Sequence, residues 1–123
     1  MFSIRVERIF SAAHAIQMGE ITETLHGHDW RVRVTIESDE LDQDGLICDF
    51  HALEQDLDEI LLPFQNANLN ETTPFDQLNP TAENVALHIA RCMQARLPDT
   101  VTAVTAAVTE SPGCEARCRL EAS

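Results

Sequence analysis

The stretch LHGHDWRVRVTIE, residues 25–37, constrains the fold of this chain most, because it joins strict alternation to two closely spaced histidines. From His26 and His28 onward, every second residue would share one face, which continues with apolar side chains, while charged and polar residues share the other. A period of two predicts a half-buried strand. The same alternation in FSIRVERIF, residues 2–10, predicts a first strand that ends near His14. We expect the two strands to form a long antiparallel pair.

Two helical patterns and two further strands follow. The first helix is predicted after Asp49, an N-cap residue type, and the second after Asn79-Pro80, read as a cap followed by proline. The Pro- and Asn-rich segment between them is predicted to be mostly loop. Alternation then predicts two strands, at residues 100–110 and 114–121. This order indicates one α+β domain over residues 1–123, with a helix pair covering one face of an antiparallel sheet.

Charge and composition narrow the function. The formal net charge is -13, and all eight basic residues are Arg because the chain has no Lys. Such a surface argues against binding nucleic acid or acidic membranes, and the missing Lys excludes Schiff-base chemistry on a lysine. No apolar run is long enough to cross a bilayer, and the N-terminus alternates instead of forming a signal-peptide core, so a cytoplasmic protein is expected.

The four cysteines give no disulfide framework. They form no CxxC pair, and nothing indicates an exported chain, so free thiols are expected for most of them. A structural zinc site built on Cys114 and Cys118 is an alternative that lacks an evident second ligand pair. Cys48 is interpreted as a small apolar filler and not as a nucleophile.

The histidines predict a metal site. Residues i and i+2 of a strand point to the same side at a spacing suited to two ligands of one ion, as His26 and His28 would. If the first strand pairs with the second, His14 supplies a third imidazole, and three imidazoles leave a zinc ion one open position. An HxH pair alone also fits ordinary half-buried residues. His51 and His88 lie on predicted helices without evident partners and are not assigned to a site.

A four-stranded sheet of this size has exposed edges and a second face to cover. Association with further copies is one physical solution, so an oligomer is expected.

Several motifs together resemble a known family. FSAAHAI, LHGHDWRVRVTIE, GLICDF, LN at 69–70, NPTAEN and VTE ending at Glu110 are similar, in order and spacing, to the 6-pyruvoyltetrahydropterin synthase and 6-carboxytetrahydropterin synthase family. The resemblance implies a T-fold (tunnelling fold): a four-stranded antiparallel sheet with two helices inserted between the second and third strands. It also implies homotrimers, commonly paired into hexamers, with active sites at subunit interfaces.

Carried over by position, the resemblance implies that His14, His26 and His28 bind Zn²⁺. It implies that Glu110 holds the pterin ring, a role that suits a carboxylate facing an aminopyrimidine edge. Three imidazoles also accept other divalent ions, so the metal is open.

The chain departs from the family pattern at two places. Family enzymes that act on dihydroneopterin triphosphate have a catalytic Cys where this chain has Thr22, and an Asp-His pair where it has Gln65-Asn66. Thr and Asn cannot accept a proton near neutral pH. Glu23, three residues before His26, is the predicted substitute base and resembles one branch of the family that uses Glu for retro-aldol cleavage. Glu20 is a more distant candidate.

The sequence thus predicts a zinc-dependent pterin lyase acting on 7,8-dihydroneopterin or its triphosphate, with Glu23 as base. Two alternatives stay open at this point. One is a pterin- or purine-binding protein that has lost efficient catalysis, since the usual proton-transfer groups are absent. The other is a related T-fold enzyme acting on another heterocycle. Whether a triphosphate is bound depends on which arginines converge, which the sequence does not reveal.

Overall fold

The computed structural model describes residues 1–122, in which four long strands form the core of one sheet. β1 (Phe2–His14) pairs antiparallel with β4 (His26–Ser38), β4 pairs with β6 (Val101–Ser111), and β6 pairs with β7 (Cys114–Glu121). The predicted antiparallel pair is confirmed over its whole length. Its register places His14 opposite His26.

The fold contains short strands that the sequence did not predict. β2 (Gln17–Met18) and β3 (Ile21–Thr22) form a separate hairpin in the segment of the chain that links β1 to β4. β5 (Ala67–Asn68) lies parallel to β1 at the edge, so the sheet is mixed and has the order β5-β1-β4-β6-β7. A two-residue strand inside a Pro- and Asn-rich segment has no hydrophobic periodicity that could predict it.

Two helices connect β4 to β6, as predicted, and cover one face of the sheet. α1 (Phe50–Leu61) begins after Asp49, whose carboxylate accepts a hydrogen bond from the His51 backbone N–H at 3.1 Å. α2 (Ala82–Gln94) lies against β6 and β7. The part of the chain that the structure describes contains no helix of the length and apolar character needed to cross a membrane.

The predicted cap of the second helix was wrong. Thr81, not Asn79, caps α2, because the Thr81 hydroxyl accepts a hydrogen bond from the Asn84 N–H at 3.1 Å. The Asn79 side chain instead donates to the Gln17 carbonyl at 2.8 Å and accepts from the Gln17 N–H at 3.0 Å. Asn79 thus fixes the backbone at Gln17, which is distant along the chain, and does not cap the helix.

The core lies between the sheet and the helices. The predicted inner face of β4 is confirmed from Trp30 to Ile36, which are fully buried at every second position. Both helices bury an apolar stripe against it, which contains Leu53, Leu57, Ile60 and Leu61 of α1 and Val85, Ala86, Ile89, Ala90 and Met93 of α2. The inner face of the β1–β4 pair thus passes from apolar core to histidines at one end.

Candidate metal centre

The β1–β4 register brings the three predicted histidines together. Their ring centroids lie 4.8 Å apart for His14 and His26, 4.8 Å for His26 and His28, and 5.1 Å for His14 and His28. Glu110 of β6 completes the group, in which one potential ligand atom from each residue lies within 4.8 Å of the others. Among the described residues, these four form the group that could hold a metal ion.

Backbone carbonyls orient two of the rings. Nδ1 of His14 lies 2.8 Å from the carbonyl oxygen of Pro80, and Nδ1 of His26 lies 2.8 Å from that of Thr24. A carbonyl only accepts, so each Nδ1 donates a proton to it, and Nε2 is the nitrogen that each ring offers to the centre. This is the arrangement that supports imidazole ligands of a metal ion.

The centre is partly buried and its inner nitrogen atoms lack hydrogen-bond partners. The His14 side chain is 1% exposed, and the Nε2 atoms of His14 and His28 are buried without a hydrogen bond. Burial lowers the pKa of His28, which therefore favours its neutral, metal-binding form. Neutral imidazoles with unused inward lone pairs fit a divalent cation.

Trp30 contacts two of the histidines from the side of the apolar core. Its ring meets those of His14 and His28 edge-on, with centroids 4.8 and 5.6 Å away, and its indole N–H donates to the Ala12 carbonyl at 3.2 Å. Phe10 stacks on the other side of the indole at 5.7 Å. The predicted inner face of β4 included Trp30, but the sequence analysis gave it no role at the site.

Two asparagines fix the chain that leaves His14. Asn70 accepts from the Ala15 N–H and donates to the Ala15 carbonyl, both at 2.8 Å, and Asn79 makes the same pair of bonds with Gln17. Each amide side chain thus makes the pair of backbone hydrogen bonds that a neighbouring strand would otherwise make. The motifs LN and NPTAEN contain these residues, but a side chain that bonds to backbone far along the chain leaves no local pattern.

Glu23, the predicted base, lies beside the centre. Its Oε1 is 4.0 Å from Nε2 of His26 and accepts a hydrogen bond from the Ile16 N–H at 3.0 Å. A backbone bond from the Glu23 N–H to the Ile16 carbonyl, also 3.0 Å, closes the β2–β3 hairpin. Glu20 is exposed in the turn of the same hairpin.

Glu110 faces the histidines. Its Oε1 lies 3.0 Å from Nε2 of His28 and 3.4 Å from Nε2 of His14, and its side chain is 27% exposed. Glu110 and His28 also line a cleft toward the uncovered face of the sheet, whose wall includes Arg31, Arg33 and Arg117. A small molecule entering this cleft would reach the carboxylate and the centre together.

The remaining candidates lie elsewhere. His51 is exposed on α1, and His88 packs between the rings of Phe64 and Phe75. Cys114 and Cys118 lie four residues apart on β7, roughly 13 Å in an extended strand, which is too far for one ion. All four cysteines are free.

Comparison with known proteins places this architecture in a family. The family model of 6-pyruvoyl tetrahydropterin synthase matches residues 3–121. Dihydroneopterin monophosphate aldolase of Pyrococcus furiosus is 35% identical over 92 residues, 75% of each chain. The 6-pyruvoyl tetrahydropterin synthase of Plasmodium falciparum has a similar structure, with a TM-score of 0.83, 17% identity and 98% of each chain covered. A 6-pyruvoyltetrahydropterin synthase of Plasmodium vivax, with a catalytic residue replaced, has a TM-score of 0.81 at 19% identity over 98% of each chain. The chain therefore belongs to the 6-pyruvoyl tetrahydropterin synthase family and has its T-fold.

Proposed function

We propose that this chain is a metal-dependent pterin lyase that cleaves the side chain of 7,8-dihydroneopterin or of a phosphate ester of it. The observation that carries the proposal is the convergence of His14, His26, His28 and Glu110, with Glu23 at its rim. The family supports a pterin substrate. The similarity to an aldolase supports carbon–carbon cleavage.

The three imidazoles would hold the ion, with zinc as the expected metal. When bound, a divalent ion supplies positive charge that stabilises a negative oxygen of the substrate. The Pro80 and Thr24 carbonyls keep the His14 and His26 rings in the tautomer that binding requires. Buried Trp30 keeps water from the inner side of the centre.

Glu23 would act as the general base. It removes the proton from the hydroxyl on the second side-chain carbon, and that carbon becomes the carbonyl carbon of an aldehyde as its bond to the first carbon breaks. The electron pair released moves into the neighbouring ring imine, and a proton returned to the first carbon restores the imine and completes 6-hydroxymethyl-7,8-dihydropterin. The hydrogen bond from the Ile16 N–H holds the carboxylate at the rim of the centre, where this proton transfer requires it.

The departures from the synthase pattern favour the same chemistry. Thr22 is exposed in β3 and offers no base. The Asn66 N–H donates to the Ser11 carbonyl at 2.6 Å, and the neutral Asn66 side chain provides no base. Glu23 is then the carboxylate on the hairpin that is placed for proton transfer.

Product analysis tests the proposal. The zinc-loaded protein is incubated with dihydroneopterin, its monophosphate and its triphosphate, and pterin products are separated by chromatography. We expect 6-hydroxymethyl-7,8-dihydropterin, with a rate about 10²–10⁴-fold lower in Glu23→Gln. Glu20→Gln removes the same charge from the same hairpin and serves as the matched control, with a rate close to wild type.

The alternative function predicts a different outcome. If pterins bind tightly and no product forms with any of the three substrates, the chain is a pterin-binding member of the family and the lyase proposal fails. If a product forms equally well in Glu23→Gln, the base is another group.

We also propose that the protein works as a homotrimer or homohexamer, on the pattern of the family. Exposed apolar side chains on and beside the hairpin that carries Glu23 support an interface there: Met18 is 54% exposed, Ile21 66% and Leu25 51%. Sedimentation equilibrium measures the assembly, and a monomer at micromolar concentration would contradict this proposal. The cytoplasmic location stays a prediction.

A further inference from the structure

Glu110 lies at a local irregularity of the backbone pairing. β6 pairs with β4 only up to Thr109, which lies opposite Arg31. On its other side, the pairing with β7 shifts between Thr109 and Ser111, so that Glu110 has no opposite residue. Such irregularities are frequent beside active sites. Ala106 and Val108 lie opposite Val34 and Val32, so alternation along β6 puts Glu110 on the face that carries His28.

Two of the inward ring nitrogen atoms are left for a ligand role. Nδ1 of His14 and Nδ1 of His26 each face a carbonyl oxygen at 2.8 Å, so Nε2 is the nitrogen that each of these rings offers to the centre. Oε1 of Glu110 lies 3.4 Å from Nε2 of His14. This separation is compatible with two ligand atoms that each lie about 2 Å from one zinc ion.

The same carboxylate oxygen also contacts His28. Oε1 of Glu110 is 3.0 Å from Nε2 of His28, which is buried. A single oxygen thus lies within 3.4 Å of two inward ring nitrogen atoms. This is the place of a further ligand in a group of nitrogen and oxygen donors.

We infer that Glu110 is a fourth ligand of the metal ion while substrate is absent, and that substrate displaces it. The inference rests on the proposed function only for the presence of the ion. Four protein ligands close the tetrahedral sphere that zinc prefers, whereas a catalytic site needs an open position. Exchange of Glu110 for a substrate oxygen opens the site and frees the carboxylate to hold the pterin ring.

Metal affinity and cobalt spectra test the inference without measuring activity. Zinc affinity is measured by competition with a chromophoric chelator, and Co²⁺ is substituted to record its visible bands, whose position and intensity report ligand type and number. In Glu110→Gln we expect zinc affinity to fall at least about tenfold and the cobalt bands to change. Glu83→Gln is the matched control, since Glu83 lines the neighbouring surface with Glu110 and is not in the ligand group. It should retain wild-type affinity and spectrum.

A titration of the cobalt protein with neopterin tests the exchange. We expect the bands to shift in proportion to bound neopterin, whose binding is followed by its own fluorescence. Bound neopterin without a band shift would overturn the exchange, and unchanged affinity and bands in Glu110→Gln would overturn the ligand assignment. In both cases the three-histidine site would stand. Absence of any metal binding by the wild type would instead overturn the proposed function itself.

Discussion

Two histidine environments in this molecule differ in what their ring nitrogen atoms meet. His14 is fully buried, its Nδ1 is held by the Pro80 carbonyl, and its Nε2 points into a group of other donors. His88 is half-buried on α2, between two phenylalanine rings at 5.6 Å, with the Cys92 sulfur 3.6 Å from its Nε2. Burial alone therefore does not make a histidine a candidate ligand. The candidate has its Nδ1 fixed by a carbonyl and lies among converging donors, and His88 has neither feature.

The largest expected effect comes from removing a histidine of the metal centre, which is the environment of His14. In His28→Ala one of three imidazoles is lost, and we expect zinc affinity to fall by more than about a hundredfold, beyond the usual effect of removing a supporting group. Metal analysis of protein purified without chelators or an affinity tag checks this. His88→Ala, as the matched control, should retain a full equivalent of metal. Equal metal content in the two variants would contradict the distinction between the environments.

His88→Ala should instead lower stability. The ring fills space between Phe64, Phe75 and the helix surface, and we expect the free energy of unfolding to fall by about 2 kcal/mol. Urea unfolding of metal-free wild type and variant measures it. A loss below the experimental error would mean that His88 is dispensable for packing.

Trp30→Phe sharpens the comparison because the indole contacts the site from the core. The variant loses the N–H bond to the Ala12 carbonyl and part of the edge contact with His14 and His28. We expect about 1 kcal/mol less stability and a zinc affinity reduced by no more than about tenfold. Urea unfolding and chelator competition on the same sample provide both values, and a loss of affinity as large as that in His28→Ala would show that Trp30 does more than support the rings.

The smallest expected effect is a pH dependence. Burial lowers the pKa of His88, so the unfolded chain takes up a proton there at higher pH than the folded protein does. This contribution to stability is complete above the ordinary histidine pKa of about 6.5 and is lost as the pH falls through the lower, folded value. The free energy of unfolding of the wild type, taken relative to that of His88→Gln, should therefore fall from pH 8 to pH 5. Urea unfolding with chelator present measures it, and a constant difference would contradict the lowered pKa.

Much of the fold was predictable because its signals are local. Alternation in β1 and β4 and the helical stripes of α1 and α2 repeat over many residues, and each repeat reports the same buried face. The two-residue strand β5 and the cap at Thr81 were not predictable. They depend on single contacts, for which the sequence offers several residues of equal suitability.

The site divides in the same way. The spacing of His26 and His28 already puts them on one face, and Glu23 is close to them in sequence. The contact of Glu110 with His14 and His28 was not predicted, because it depends on the register in which β6 pairs with β4. The sequence analysis expected a carboxylate that holds a ring, and the structure adds its contact with the imidazoles.

The sequence by itself determined which residues share a face, since a strand turns alternate side chains to opposite sides whatever surrounds it. Only the tertiary structure decided which ring nitrogen of His14 and of His26 donates to a carbonyl, and which carboxylate faces the imidazoles. The Pro80 carbonyl reaches His14 across 66 positions of the chain, and a backbone group has no identity that a sequence could display. Electrostatics at the centre depends on distances of 3 to 4 Å between such groups, and only the folded chain sets these.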